Sequence, residues 1–93
     1  MITIVARNNL KKGQKAVFME IARELVNKSR QEPGCLSYDL YEDAKDEESM
    51  VFIENWKDDA AIQAHFASEH FKAGVASLAA CLKDSDIAFY RKV

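Results

Sequence analysis

A chain of 93 residues, 48% hydrophobic and without an apolar run near the roughly 18 residues a bilayer span needs, is sized for a single domain, 1–93, with no membrane association. Thirteen basic against fifteen acidic residues give a net charge of −2, and no basic run exceeds the Lys11-Lys12 and Arg91-Lys92 pairs, so nucleic acid is not an expected partner. Cys35 and Cys81 form no CxxC pattern and Met1 to Val5 opens no leader-like segment, which reads as a cytoplasmic protein with two reduced thiols.

In chain order, "ITIVAR" is a strand with apolar residues of both parities, so both its faces are expected to be covered. Arg7, Asn8 and Asn9 close it with a concentration of polar donors, for which turn chemistry is the alternative to ligand binding. A long helix follows, its stripe set by Val17, Phe18, Ile21, Ala22 and Leu25, ending before Pro33-Gly34. "CLSYDLYE" and "SMVFIENWK" read as an antiparallel hairpin joined by the polar loop "DAKDEE", where Asp46-Glu47-Glu48 is simply solvated. Asp58 or Asp59 caps a short helix, "AAIQAHFA", and Ser68 caps another with the stripe Phe71, Val75, Leu78 and Leu82. "DIAFYRKV" is the closing strand.

This order predicts an α+β fold: a ferredoxin-like split βαβ with helices on one face of a four-stranded antiparallel sheet. Val5, Val51 and Ile53 leave the opposite face apolar as well. A second copy of the sheet is the simplest cover, giving a homodimer.

Both histidines fall in "AHFASEHF". Five positions on one helix are roughly 140° apart, so His65 and His70 would share no face, and a metal pair is poorly supported. A break at Ser68 turns the axis and lets both imidazoles look into one cavity from a corner. Their plain alternatives are a half-buried packing residue for His65 and a solvated first-turn residue for His70, yet an imidazole that titrates near neutrality is well suited to deprotonate a phenol. Trp56 reads by default as core. Glu54, on the same strand face, needs a partner if buried, and an ion pair or dimer contact is expected of it rather than catalysis. No glycine-rich phosphate loop, GxSxG or CxxC anchors a nucleotide, flavin or hydrolase reading.

The runs "EPGCLSYDLYED" and "FIENWKDDAAIQAHFASEHFKA" resemble the antibiotic biosynthesis monooxygenase (ABM) domain, including its small quinol-monooxygenase-like members. The most specific parts are Glu32-Pro33-Gly34-Cys35, Glu54 with Trp56, and Ala64-His65 followed by Ser68, His70 and Phe71. The resemblance implies a ferredoxin-like fold dimerised through its sheets into an α/β-barrel, with a pocket in each subunit. It also implies a cofactor-independent monooxygenase, with no metal, that oxidises a quinol or polycyclic phenol with O2. Mapped on this chain, His65 or His70 is the base, Arg7, Asn8 or Asn9 binds the substrate oxygen, and Trp56, Phe66 and Phe71 are apolar walls.

Related branches offer other readings. Haem degradation would need a tryptophan where His65 stands and a histidine where Val75 stands, so only Asn8 matches. An autoinducer-2-type isomerase would handle a phosphorylated substrate, for which Arg7, Lys72 and Arg91 form no clear cationic pocket. A non-catalytic dimer that binds a small aromatic ligand is the alternative from a different class, since a fold does not fix a function.

Overall fold

The computed structural model describes residues 1–93. The elements run β1 (Ile2–Leu10), α1 (Lys15–Arg30), β2 (Cys35–Asp43), β3 (Asp46–Trp56), α2 (Asp59–Ala67), α3 (Glu69–Ala79) and β4 (Leu82–Arg91). The four strands form one antiparallel sheet in the order β2-β3-β1-β4, so the split βαβ, ferredoxin-like architecture is what the chain adopts. No helix is long and apolar enough to cross a membrane.

Strand parity decides what lies beneath the helices. Ile2, Ile4, Asn8 and Leu10 of β1, with Met50, Phe52, Glu54 and Trp56 of β3, are buried on the helical side. Phe18, Ala22, Leu25 and Val26 of α1, Ile62 of α2 and Leu78 of α3 close over them. Aromatic rings knit this layer, with Tyr38 centroids 5.7 Å from Phe52 and 6.2 Å from Trp56. Pairs of this kind add about 0.5–1.5 kcal/mol each beyond their area burial. On the opposite face Val5, Val51 and Ile53 are only half-buried, while Tyr41 and Tyr90 are exposed.

Four details depart from the expected pattern, each for a local reason. β1 does not stop at Arg7: as a central strand it is laddered on both sides, and Asn8 and Asn9 pair with Met50 and Ser49 of β3 and with Ser85 and Asp84 of β4. The hairpin turn shrinks to Ala44-Lys45, because Asp43 Oδ1 accepts from the Lys45 amide (2.8 Å) and Asp46 Oδ1 from that of Glu48 (3.0 Å). The acidic run therefore begins β3 instead of forming a loop. Val17 is 49% exposed because the buried stripe of α1 starts at Phe18, about 100° further round the helix. Leu82 opens β4 rather than extending the α3 stripe.

The two helix starts are set by side chains. Asp58 Oδ1 accepts from the Ala61 amide (2.9 Å), and Ser68 Oγ accepts from the Phe71 amide (3.3 Å) while donating to the His65 carbonyl (2.6 Å). Ser68 thus ends α2 and begins α3 with a change of direction. Gly34 fixes where α2 lands: a Cβ built there would stand 2.2 Å from Ala61 Cβ, so only glycine lets the helix sit against the β2 entrance. Gly34→Ala is expected to lower stability by about 1–3 kcal/mol through this collision, read as a fall in the urea midpoint at unchanged m-value.

Candidate functional site

The ordering of side chains around the helix corner produces two polar centres, one on each side of an aromatic wall. The first is a carboxylate gripped by both histidines. Glu32, in the turn after α1, places Oε2 2.6 Å from His65 Nδ1 and 2.8 Å from His70 Nε2. The Ser68 break is what allows this, since it brings imidazoles from the last turn of α2 and the first turn of α3 to centroids 6.0 Å apart. His70 Nε2 also lies 3.3 Å from Ser68 Oγ.

His65 is fully buried, and its Nε2 has no hydrogen-bond partner. Burial pushes its pKa down, and the Glu32 carboxylate works against that shift. In the neutral ring the proton belongs on Nδ1, where Glu32 accepts it, leaving a lone pair on Nε2. The ring lies 4.5 Å from Trp56, 4.8 Å from Phe71, 5.5 Å from Tyr38 and 5.8 Å from Phe66, centroid to centroid.

The second centre faces a cavity of about 270 Å³ between the sheet and α3. Phe52, Phe66, Phe71, Val75, Leu78 and Ile87 supply apolar walls, and the polar groups are Arg7, Asn8, Tyr38, Glu54, Ser85 and Asp86. Half-exposed Val75 and Ile87 are explained by this void beneath α3. Glu54 is the buried carboxyl of the set, and Trp56 Nε1 donates to its Oε1 at 2.9 Å. Desolvation raises its pKa to about 7, although hydrogen bonds from Trp56 and Tyr38 pull the other way and Glu32 adds repulsion. Tyr38 is itself pushed well above the ordinary phenol range by burial, so it remains a donor.

Of the residues singled out from sequence, Arg7, Asn8, Phe66 and Phe71 line this cavity, whereas His65, His70, Asn9 and Trp56 do not. The histidines meet at Glu32 behind the Phe66–Phe71 wall, whose rings are 4.9 Å apart. Trp56 is fully buried and reaches the cavity through its neighbours Glu54 and Tyr38. Asn9 is turned to the outer side, where Nδ2 donates to Asp84 (2.6 Å). Asn8 spends its amide on the carbonyls of Ala6 (3.1 Å) and Met50 (3.5 Å), which leaves Oδ1 as its free function.

From sequence Glu54 reads as a structural carboxylate, Glu32 enters only within the Glu32-Pro33-Gly34-Cys35 stretch with no role in a site, and Tyr38 has none. The available signal was strand parity: Tyr38 and Glu54 are paired neighbours across β2 and β3 on the helical face.

A ferredoxin-like sheet with a small apolar cavity under its helices, and one buried carboxyl facing that cavity, defines a domain built around a small-molecule site. The family model for antibiotic biosynthesis monooxygenase matches residues 1–77, and the chain belongs to that family. An uncharacterised Synechocystis protein is 34% identical over 70 residues, 75% of this chain, which spans 48% of that protein's length. The candidate monooxygenase YcnE of Bacillus subtilis is 38% identical over 76 residues, 82% of this chain and 80% of the relative. A crystal structure of an antibiotic biosynthesis monooxygenase superposes with a TM-score of 0.95 at 39% identity, covering 100% of this chain and 99% of the other.

The Glu54 carboxyl makes a checkable contribution to folding. Its folded pKa of about 7 exceeds the ordinary 4.5, so the protonated form is the one folding favours. This contribution is complete below about pH 4.5 and is lost as pH rises through 7. Relative to Glu54→Gln, the wild type should lose on the order of 2–3 kcal/mol of unfolding free energy between pH 4.5 and 7.5. Subtracting the two chemical-denaturation curves cancels the opposite trend of His65, whose lowered pKa makes stability fall as pH drops below 6.5.

Proposed function

We propose that the domain is a cofactor-independent monooxygenase that oxidises a one- or two-ring quinol with O2, using Glu54 as its acid and base. The observation that carries this reading is a buried carboxyl, poised at about 7, in the wall of an otherwise apolar cavity. A volume of about 270 Å³ lies at the lower edge of the roughly 300–1,000 Å³ usual for drug-sized ligands, which favours small aromatics over extended polycyclic ones.

Ionised Glu54 takes the proton of a phenolic hydroxyl, and the quinolate passes one electron to O2. Semiquinone and superoxide recombine at a ring carbon, forming a C–O bond. Glu54 returns its proton to the peroxide, the ring C–H is lost as a proton, and the O–O bond breaks with departure of water. One oxygen atom stays on the ring and the other becomes water, so quinol plus O2 gives hydroxyquinone plus water. All four electrons come from the substrate. Arg7 provides positive charge for the anion, and Asn8 Oδ1 accepts from the second hydroxyl. Apolar walls exclude water from the radical pair. The base role expected of the histidines passes to Glu54 in this reading because both imidazoles stand behind the wall, with His65 holding Glu32 through its Nδ1.

The half-covered outer face, with Val5, Val51, Ile53, Tyr41 and Tyr90, is where we place a second copy of the chain. Sedimentation at micromolar concentration is expected to give twice the chain mass, and Val51→Lys to shift it toward the monomer.

Oxygen uptake with a panel of benzoquinols and naphthoquinols, corrected for autoxidation, should rise with pH through about 7. Glu54→Gln should lower it about 100-fold or more, while His70→Ala retains most of it. Uptake that survives Glu54→Gln and disappears in His70→Ala would return the base role to the histidine pair. Quenching of Trp56 by the quinols with no uptake above background would favour a binding module.

A further inference from the structure

Glu32, His65 and His70 are held together away from the cavity, their ligating atoms all within 4.8 Å of one another. We propose that they form a binding site for one divalent first-row transition-metal ion, of which Zn2+ is the natural probe. Two imidazole nitrogens and a carboxylate oxygen are a three-ligand set that leaves a fourth position for water. The donors come from three places in the fold: the turn after α1, the last turn of α2 and the first turn of α3. They converge because Ser68 has redirected the chain, so little ordering is left to be done on binding.

Capture needs small movements of two side chains, Glu32 away from the imidazoles and His70 toward His65, because the ligating atoms now lie up to 4.8 Å apart. A tetrahedral ion about 2.0–2.1 Å from each ligand needs those ligands about 3.3 Å from one another. Glu32 Oε2 now stands 2.6 and 2.8 Å from the two nitrogens, so it must withdraw by about 0.7 Å from His65 and about 0.5 Å from His70. Glu32, in a turn and with its side chain 14% exposed, has room for that adjustment, whereas the fully buried His65 ring is packed among aromatic neighbours. His70 is 19% exposed at the side chain, which gives the ion and its water a route in.

The same geometry limits the affinity. Coordination through Nδ1 leaves a proton on His65 Nε2, which has no oxygen acceptor and lies among Tyr38, Trp56, Phe66 and Phe71. Metal-bound histidines usually donate that proton to a carboxylate or carbonyl, and aromatic faces are weaker acceptors. A dissociation constant on the order of micromolar is therefore expected rather than nanomolar. The ion would clamp the α1–β2 turn to the α2–α3 corner, a stabilising role that does not depend on the oxidation chemistry.

Tag-free protein, stripped with chelator and dialysed, would be titrated with Co2+ by visible absorption and with Zn2+ by calorimetry and thermal unfolding. The expected result is one ion per chain, a four- or five-coordinate Co2+ absorption band and a Zn2+-dependent rise in Tm. Glu32→Gln and His70→Ala, both at partly exposed positions, should weaken binding by at least about tenfold with unchanged circular dichroism. Cys35→Ser, which removes the thiol whose backbone amide bonds to the Glu32 carbonyl (3.0 Å), should bind like the wild type. No saturable binding, binding undiminished in His70→Ala, or binding lost in Cys35→Ser would each overturn the proposal.

Discussion

The Glu32 carboxylate, accepting from an imidazole on each side, is the contact on which the rest of the architecture turns. It ties the end of α1 to the junction of two later helices, and each partner is constrained in its own way. Ser68 sets the angle between α2 and α3, and the Gly34–Ala61 approach sets the height of α2 over the sheet. Breaking a buried charged hydrogen bond while its partners stay in place costs about 1–3 kcal/mol or more, a sizeable part of the margin available to a domain this small. The position of the wall, and with it the shape of the cavity, follows from this arrangement. Phe71 packs 4.8 Å from His65 on one side and borders the cavity on the other.

Two carboxylates in one small chain thus occupy opposite environments. Glu32 keeps partial contact with solvent and has nitrogen donors on one oxygen. Glu54 is almost wholly withdrawn from water and is supported by an indole N–H, which is too weak to offset its desolvation. In the proposed reading, the raised pKa of Glu54 and its place on the cavity assign it proton transfer, while Glu32, bound by both histidines away from the cavity, acts as a structural restraint. Phe66 and Phe71 stand between the two centres, each near His65 and in the cavity wall.

Much of the fold was legible because it rests on periodicity. The apolar strands β1 and β3, the Pro33-Gly34 stop and the caps at Ser68 and at Asp58 or Asp59 all follow from local chemistry, and the structure keeps them, with Asp58 as the first cap. Boundaries failed where tertiary laddering overrode local preference, as at Asn8 and Asn9, whose turn-forming side chains are carried into a central strand. The convergence of the histidines could be anticipated from a serine between them. What they converge on could not, since Glu32 lies 33 residues from His65 and only the packed fold brings the two together.

The cavity was the least legible feature because it is an absence of packing, produced by distances between elements and not by any motif. Gly74 lets α3 settle on α1, with its added Cβ position 3.3 Å from Leu25 Cδ1, so the helix pair is drawn together over β1 and β3. β4, at the sheet edge, is only thinly covered: Phe66 of α2 reaches Phe89 with ring centroids 6.3 Å apart, and Ile87 and Phe89 on its inner face are about half exposed. Through Leu82, Ser85, Asp86 and Ile87 this thinly covered strand becomes one wall of the cavity. Leu25, on which a larger residue at 74 would press, also lines the cavity, so the α1–α3 approach bears on the cavity's size without involving a polar group in it.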